Sequence, residues 1–219
     1  YYSVKESVHL WTVYRPLDVT LAVAGTAENL YVLTSDTATT NWITNPSFEA
    51  DVAGTSPPTS WVASGATLTV SAAQARDGTR SMLVNPDNLA VREGGYFSLG
   101  LYPGNRPISV SAYIRGFAAA GDARIEIRRG DTGALLVAGN TITLQAGNWN
   151  DRSIATLRED PTRPIVELRV FINTVTQHTN DFYVDSVQAE TYNFISDYED
   201  GSLGIERRWE GTAHSIISL

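Results

Sequence analysis

Apolar and polar residues alternate along most of this chain with the two-residue period of a β-strand, and no stretch sustains the 3.6-residue stripe of an amphipathic helix. Ile108-Ser109-Val110-Ser111-Ala112-Tyr113-Ile114-Arg115 sends Ile, Val, Ala and Ile to one side and Ser, Ser, Tyr and Arg to the other. One side of that strand belongs to a core; the other is solvated or faces a partner. Ala123-Arg124-Ile125-Glu126-Ile127-Arg128 repeats the pattern with its charges outward, as an antiparallel sheet with one wet surface requires. Strands are predicted over 66–70, 80–84, 96–101, 108–116, 123–129, 141–144, 152–157, 165–172 and 182–190, each rich in Val, Ile, Thr, Tyr or Phe. Arg76-Asp77-Gly78-Thr79, Pro103-Gly104-Asn105 and Gly130-Asp131-Thr132-Gly133 read as turns, and 173–181 as a loop. Many short strands with frequent turn signals predict a sandwich or barrel in which helices are minor.

The two ends depart from this pattern. Within residues 1–40, Ser3-Val4-Lys5-Glu6-Ser7-Val8-His9-Leu10, Leu17-Asp18-Val19-Thr20-Leu21-Ala22-Val23 and Leu30-Tyr31-Val32-Leu33 are strand-like but few. A pair or trio of strands is marginal alone, so this arm is expected to pair with another chain or with the main domain. Thr34-Ser35-Asp36-Thr37-Ala38-Thr39-Thr40 offers no apolar face and reads as a polar linker. The reading is therefore an N-terminal arm and linker over 1–40, a main all-β domain over 41–190, and a Gly- and charge-rich C-terminal tail over 191–219 that docks on a neighbour.

Composition narrows the chemistry. A chain of 219 residues without cysteine has no disulfide, thiol nucleophile or thiolate metal site, so extra stabilisation must come from packing or from a hard cation held by oxygens. The net charge of -8 argues against nucleic acid as a partner and disfavours acidic ligands. No window approaches the roughly 20 apolar residues of a membrane span, so membrane insertion is not expected. The opening Tyr1-Tyr2-Ser3 is neither an initiator Met nor a signal peptide, and reads as a processed product or a fragment. His9, His178 and His214 show no zinc spacing, no Gly-x-Ser-x-Gly occurs, and no pair of acids stands in a recognisable catalytic setting, so the chain is read as non-enzymatic.

Four short segments carry a resemblance. Asn45-Pro46-Ser47-Phe48-Glu49, Pro57-Pro58-Thr59-Ser60-Trp61, Arg76-Asp77-Gly78-Thr79-Arg80-Ser81-Met82 and Phe182-Tyr183-Val184-Asp185-Ser186-Val187 stand in the order found in the carbohydrate-binding modules of xylanases and cellulases. The resemblance covers roughly residues 43–190. It implies an antiparallel β-sandwich jelly roll, with Phe48 and Trp61 in the core and the last strand near the first. By the same resemblance Glu49 and Asp185 are candidate ligands of a structural Ca2+, with Asp77 a weaker third and turn carbonyls over 76–78 completing the shell; like charges brought that close need a cation between them. The alternative is that Glu49 caps a turn and Asp185 makes a surface hydrogen bond.

Tyr198-Glu199-Asp200-Gly201-Ser202 and Trp209-Glu210-Gly211-Thr212-Ala213-His214-Ser215 resemble a segment that follows such modules in bacteriophage tail and minor structural proteins, though Glu199 and the charged spacer over 204–208 depart from its usual form. This tail is expected to form a hairpin anchored by Trp209.

Sugar rings stack on exposed aromatic faces, and Tyr113, Trp149, Tyr96 and Tyr102 are the candidate carbohydrate-binding residues. Tyr113 falls on the polar side of its strand, and Trp149 follows Gly147-Asn148 in a turn. The resemblances imply a bacteriophage virion structural protein (tail, fibre or capsid-decorating subunit) whose jelly roll contacts host-surface glycans. Its expected partners are other virion proteins and further copies of itself. The alternative is an extracellular glycan-binding module of a secreted polysaccharide-degrading enzyme.

Overall fold

The computed structural model of the chain describes residues 18–23, 30–35, 41–102, 104–118, 120–147, 149, 151–196, 198, 209–210 and 217–218. The chain divides into two compact units, Tyr1–Ala38 and Thr39–Leu219. In the first, β1 (Asp18–Val23) and β2 (Leu30–Ser35) form an antiparallel pair in which Asp18 lies opposite Ser35 and Val23 opposite Leu30. The expected strand over 3–10 and most of the linker lie outside the described residues.

The second unit is an antiparallel β-sandwich jelly roll. Its strands are β3 (Trp61–Ser64), β4 (Ala66–Ser71), β5 (Ser81–Pro86), β6 (Gly94–Tyr102), β7 (Ile108–Gly116), β8 (Asp122–Arg129), β9 (Leu135–Ala138), β10 (Ile142–Thr143), β11 (Arg152–Leu157), β12 (Val166–Thr174) and β13 (Phe182–Glu190). One sheet runs β10-β8-β12-β6-β3, with β9 also paired to β8; the other runs β11-β7-β13-β5-β4. Phe97, Ile125, Ile127, Val170 and Ile172 from the first meet Val70, Met82, Val84, Val110, Ile114 and Val184 from the second in a single core. These are the inward positions that alternation assigns to their strands. Among the described residues there is no helix.

The strands over 108–116, 152–157 and 182–190 have the bounds their alternation predicts. Alternation does not announce β3 or β9, each four residues long. They become strands by pairing with β6 and β8. In the tail, β14 (Trp209–Glu210) and β15 (Ile217–Ser218) pair antiparallel, while Asp200-Gly201 lies outside the described residues.

The opening and closing segments of the sandwich meet on β13. Its first three residues pair with β5, and beyond them the amides of Val187 and Ala189 donate instead to Pro46 O and Asn41 Oδ1, while Trp42 N donates to Ala189 O. A bulge between Asp185 and Gln188, with Ser186 at φ 53°, makes this change of partner. The chain then turns at Asn45, whose side-chain amide holds Asp51 while Asp51 accepts Thr59 N and Oγ1. That clamp places Phe48 and Trp61 in the core, at 0% and 2% exposure, with ring centroids 5.8 Å apart.

Candidate functional site

Strand β7 sits beside the middle of the five-stranded sheet and carries Ser109, Ser111, Tyr113 and Arg115 on the side away from the core. Register adds Thr156, Ile154 and Arg152 from β11, opposite Ser109, Ser111 and Tyr113. From β13 it adds Glu190, Gln188, Asp185 and Tyr183. A polar sheet face of this kind is ordinarily wet, yet Ser109, Ser111, Asp185, Gln188 and Glu190 are all buried. Two overlays of the chain itself cover them.

The first overlay is the segment immediately after β13. Tyr192 O accepts Ser109 Oγ at 2.8 Å. Ser196 donates its N and Oγ to the Glu190 carboxylate at 2.8 and 2.7 Å. Its Oγ also accepts from Gln188 Nε2, and its O accepts from Arg152 at 2.8 Å. The partner of the polar face is thus the chain's own continuation. A cleft of about 570 Å³ opens at this end, lined by Pro107, Thr156, Arg158, Glu159 and Asn193.

The second overlay is the loop over 74–80. Asp185 Oδ2 accepts the amides of Arg76 and Asp77 at 2.7 and 3.1 Å, and Oδ1 accepts Ser186 N at 2.6 Å. Glu49 Oε1 accepts the amides of Thr79 and Arg80 at 2.6 and 2.5 Å, and Oε2 accepts Thr79 Oγ1. Gly78, at φ +73°, has no room for a side chain, since a Cβ would lie 2.6 Å from Glu49 Oε1. Asp77 pairs with the Arg76 guanidinium and accepts the Ser186 hydroxyl.

These contacts bear on the calcium reading of Glu49, Asp77 and Asp185. Calcium needs about six to eight oxygens. Here the turn aims its N–H groups, not its carbonyls, at the two carboxylates, and Arg76 and Arg80 add positive charge beside them. Among the described residues no three Asp, Glu or His side chains group as a cation site. The donor set as placed does not fit a cation: hydrogen-bond donors occupy the positions around both carboxylates. Glu49 is a turn clamp, as its alternative reading holds. Asp185 is no surface residue but fully buried. Burial, together with the nearby Asp77 charge, outweighs its three amide donors and pushes its pKa well above the usual carboxylate value.

What remains between the overlays is floored by Tyr113, which is half-buried. The Arg76 guanidinium lies 3.6 Å from its ring centroid and that of Arg152 lies 5.3 Å away. Arg115 follows two residues along the same face and bonds Gln74. Its buried Nε meets no acceptor among the described residues.

The other aromatic candidates lie elsewhere. Tyr96 is on the outer face of the six-stranded sheet, 4.8 Å from Phe171, with Arg169 over its ring. Beside that pair Arg124 and Arg128 clasp opposite oxygens of Glu126 at 2.6 and 2.5 Å and bury it completely. Burial alone would raise the Glu126 pKa, but the two guanidinium groups outweigh it and hold the carboxyl below its ordinary value. Trp149 is half-buried in the loop before β11.

Tyr102 is a correction. Its ring is 2% exposed and edge-on to Trp42, and its hydroxyl donates to Pro107 O at 3.0 Å. Alternation from Phe97 and Leu99 would turn it outward. A bulge at Gly100, φ +75°, inverts the pattern and exposes Leu101 instead. The structure therefore brings Tyr113, Asp77 and Asp185 together and separates Tyr96 and Tyr102 from them. Sequence reasoning missed Arg76, Arg152 and the overlay over 192–196. Arg115 stood at a polar position of its strand, the one available signal.

No protein-family model matches the sequence, and no curated protein does. Solved structures share the fold. A Stig cyclase, Fisc, from Fischerella sp. TAU superposes with a TM-score of 0.56 at 15% identity, over 70% of this chain and 97% of that chain. The CBM22-1–CBM22-2 tandem domain of Xyn10C from Paenibacillus barcinonensis gives 0.53 at 18% identity, over 75% of this chain and 51% of that one. The MgGH51 α-L-arabinofuranosidase gives 0.55 at 14% identity, over 70% of this chain and 26% of that one. At these identities the likeness is one of fold, and the fold hosts both binding modules and enzymes.

Proposed function

We propose that the chain is a non-catalytic glycan-binding module whose site is the strip of the five-stranded sheet between the two overlays, centred on Tyr113. The observation that carries this reading is the pair of guanidinium groups, Arg76 and Arg152, gathered about one tyrosine on the outer face of such a sandwich, with Arg115 two residues further along the same strand. Planar donors fixed by neighbours around an aromatic floor suit a sugar, which offers paired oxygens at its edges and C–H groups on its faces. The likeness to a carbohydrate-binding tandem domain supports it at the level of fold. Retardation of the protein in gels containing a panel of soluble polysaccharides is the test. Binding to at least one of them, weakened about tenfold by Tyr113→Ala without loss of melting cooperativity, is the expected result. Retardation by none would remove the reading.

The module's setting is a larger extracellular assembly, and its tail favours a virion. Tyr198-Glu199-Asp200-Gly201 and Trp209-Glu210-Gly211-Thr212-Ala213-His214-Ser215 resemble a bacteriophage structural segment, and the first unit is a separate strand pair of the kind that adds to another chain's sheet. Sedimentation equilibrium is expected to give a concentration-dependent oligomer that is lost when residues 1–38 are removed. A monomer at all concentrations would count against the assembly role and leave the secreted glycan-binding module as the setting.

A further inference from the structure

We propose that the glycan taken by this face is an acidic one, with uronate carboxylates held by Arg76 and Arg115 beside Tyr113; the proposal rests on the glycan-binding reading above. The Arg76 guanidinium already lies 3.6 Å from the Tyr113 ring centroid. A neutral pyranose stacking on that ring has to lift Arg76 away and break its contacts with Asp77 and Ser186. A carboxylate instead approaches the guanidinium where it lies, since a planar fork of N–H donors matches two carboxylate oxygens.

Arg115 supplies a second, independent observation. It projects from the same face two residues further along β7, where its Nη1 holds Gln74 while its buried Nε meets no acceptor among the described residues. Buried donors are rarely left unmade, and a ligand oxygen completes this one once the Gln74 contact opens. The acids nearby are spent: Asp77 on Arg76, Asp185 on three backbone amides, and Glu190 on Ser196. Arg152 is engaged with Ser111, Gln188 and Ser196, and adds its charge from that fixed position. A chain of net charge -8 thus gathers three of its arginines on one strip, and local field, not the total, decides which ligand is admitted there. The net charge alone pointed the other way.

Isothermal titration of the full chain with tetragalacturonate, the same tetrasaccharide with its carboxyls reduced, and xylotetraose tests this. The acid should bind at least about tenfold more tightly than either neutral sugar, with the advantage shrinking as salt rises. Arg115→Gln and Arg76→Gln should each remove most of that advantage, and Arg115→Lys should restore part of it. If Arg115→Gln fails to fold, Arg76→Gln and Arg115→Lys carry the test. Equal affinity for acidic and neutral sugars would overturn the acidic preference and leave the glycan-binding reading standing. Tight acid binding indifferent to both arginine variants would overturn the siting. Binding of neither class, with no polysaccharide retarding the chain, would overturn both.

Discussion

Asp185→Ala is expected to lower the unfolding free energy by about 3 kcal/mol, the largest single effect of any polar substitution on the outer faces of the sandwich. The carboxylate is fully buried and accepts the amides of Arg76, Asp77 and Ser186. Alanine strands all three, and a buried donor without an acceptor costs about 1–3 kcal/mol. Relief from burying an acid offsets part of that sum. Denaturant titration at neutral pH measures the loss. Asp185→Asn separates charge from hydrogen bonding, because its amide nitrogen can only face a donor with another donor. The native pKa of Asp185 lies well above the usual 3.8, so between the two values the folded state holds the extra proton and native stability falls as pH rises. The deficit of the Asn variant should therefore be greatest near pH 4 and shrink toward neutrality, within about that window. A deficit that grew with pH would show that Asp185 is held as an ion. If millimolar calcium raised the wild-type midpoint and left the variant's unchanged, a cation would be the true counter-charge.

Glu126→Gln should come next, at about 2–3 kcal/mol. Breaking a buried ion pair costs about 3–5 kcal/mol because the surviving charge is left desolvated. Here the arginine side chains keep 19% and 12% of their exposure and recover some hydration, which brings the cost to the lower end of that range or just below it. The pH dependence has the opposite sign to that of Asp185. The folded pKa of Glu126 is held below its ordinary 4.5, so its contribution is present above the unfolded value and lost as pH falls through the folded one. The variant should thus be weakest relative to wild type at neutral pH and converge with it below about pH 4. Convergence at high pH instead would mean that the arginines do not set the carboxyl's charge. Measured together, the two variants give the outer faces of the two sheets opposite responses to acid.

Much of the architecture follows from local pattern. Ile108–Gly116 is a strand because branched apolar residues recur at every second position, and the same period says that Ser109, Ser111, Tyr113 and Arg115 share the opposite side. The turn over 76–79 is marked by Asp-Gly, and Gly78 is needed there for a reason sequence cannot state, the proximity of Glu49. Tyr102 was illegible because one bulged residue inverts inside and outside, and nothing local marks Gly100 as a bulge instead of an ordinary turn glycine. Glu49 and Asp185 were singled out by resemblance, and both hold the loop over 76–80. What compensates them was not legible, because amide groups carry no letter in the sequence.

The chain's own order of residues determined that this is an all-β domain of the sandwich or barrel kind, since period, β-branched content and turn residues act over a few neighbours at a time; that Phe48 and Trp61 lie inside a jelly roll was implied only by the resemblance of four short segments. Only the tertiary structure decided which polar faces stay open. Residues 192–196 return over a face that alternation marks as wet, and the loop over 74–80 lays Arg76 on Tyr113. Those contacts join positions distant along the chain, and their energies depend on geometry that no local period encodes.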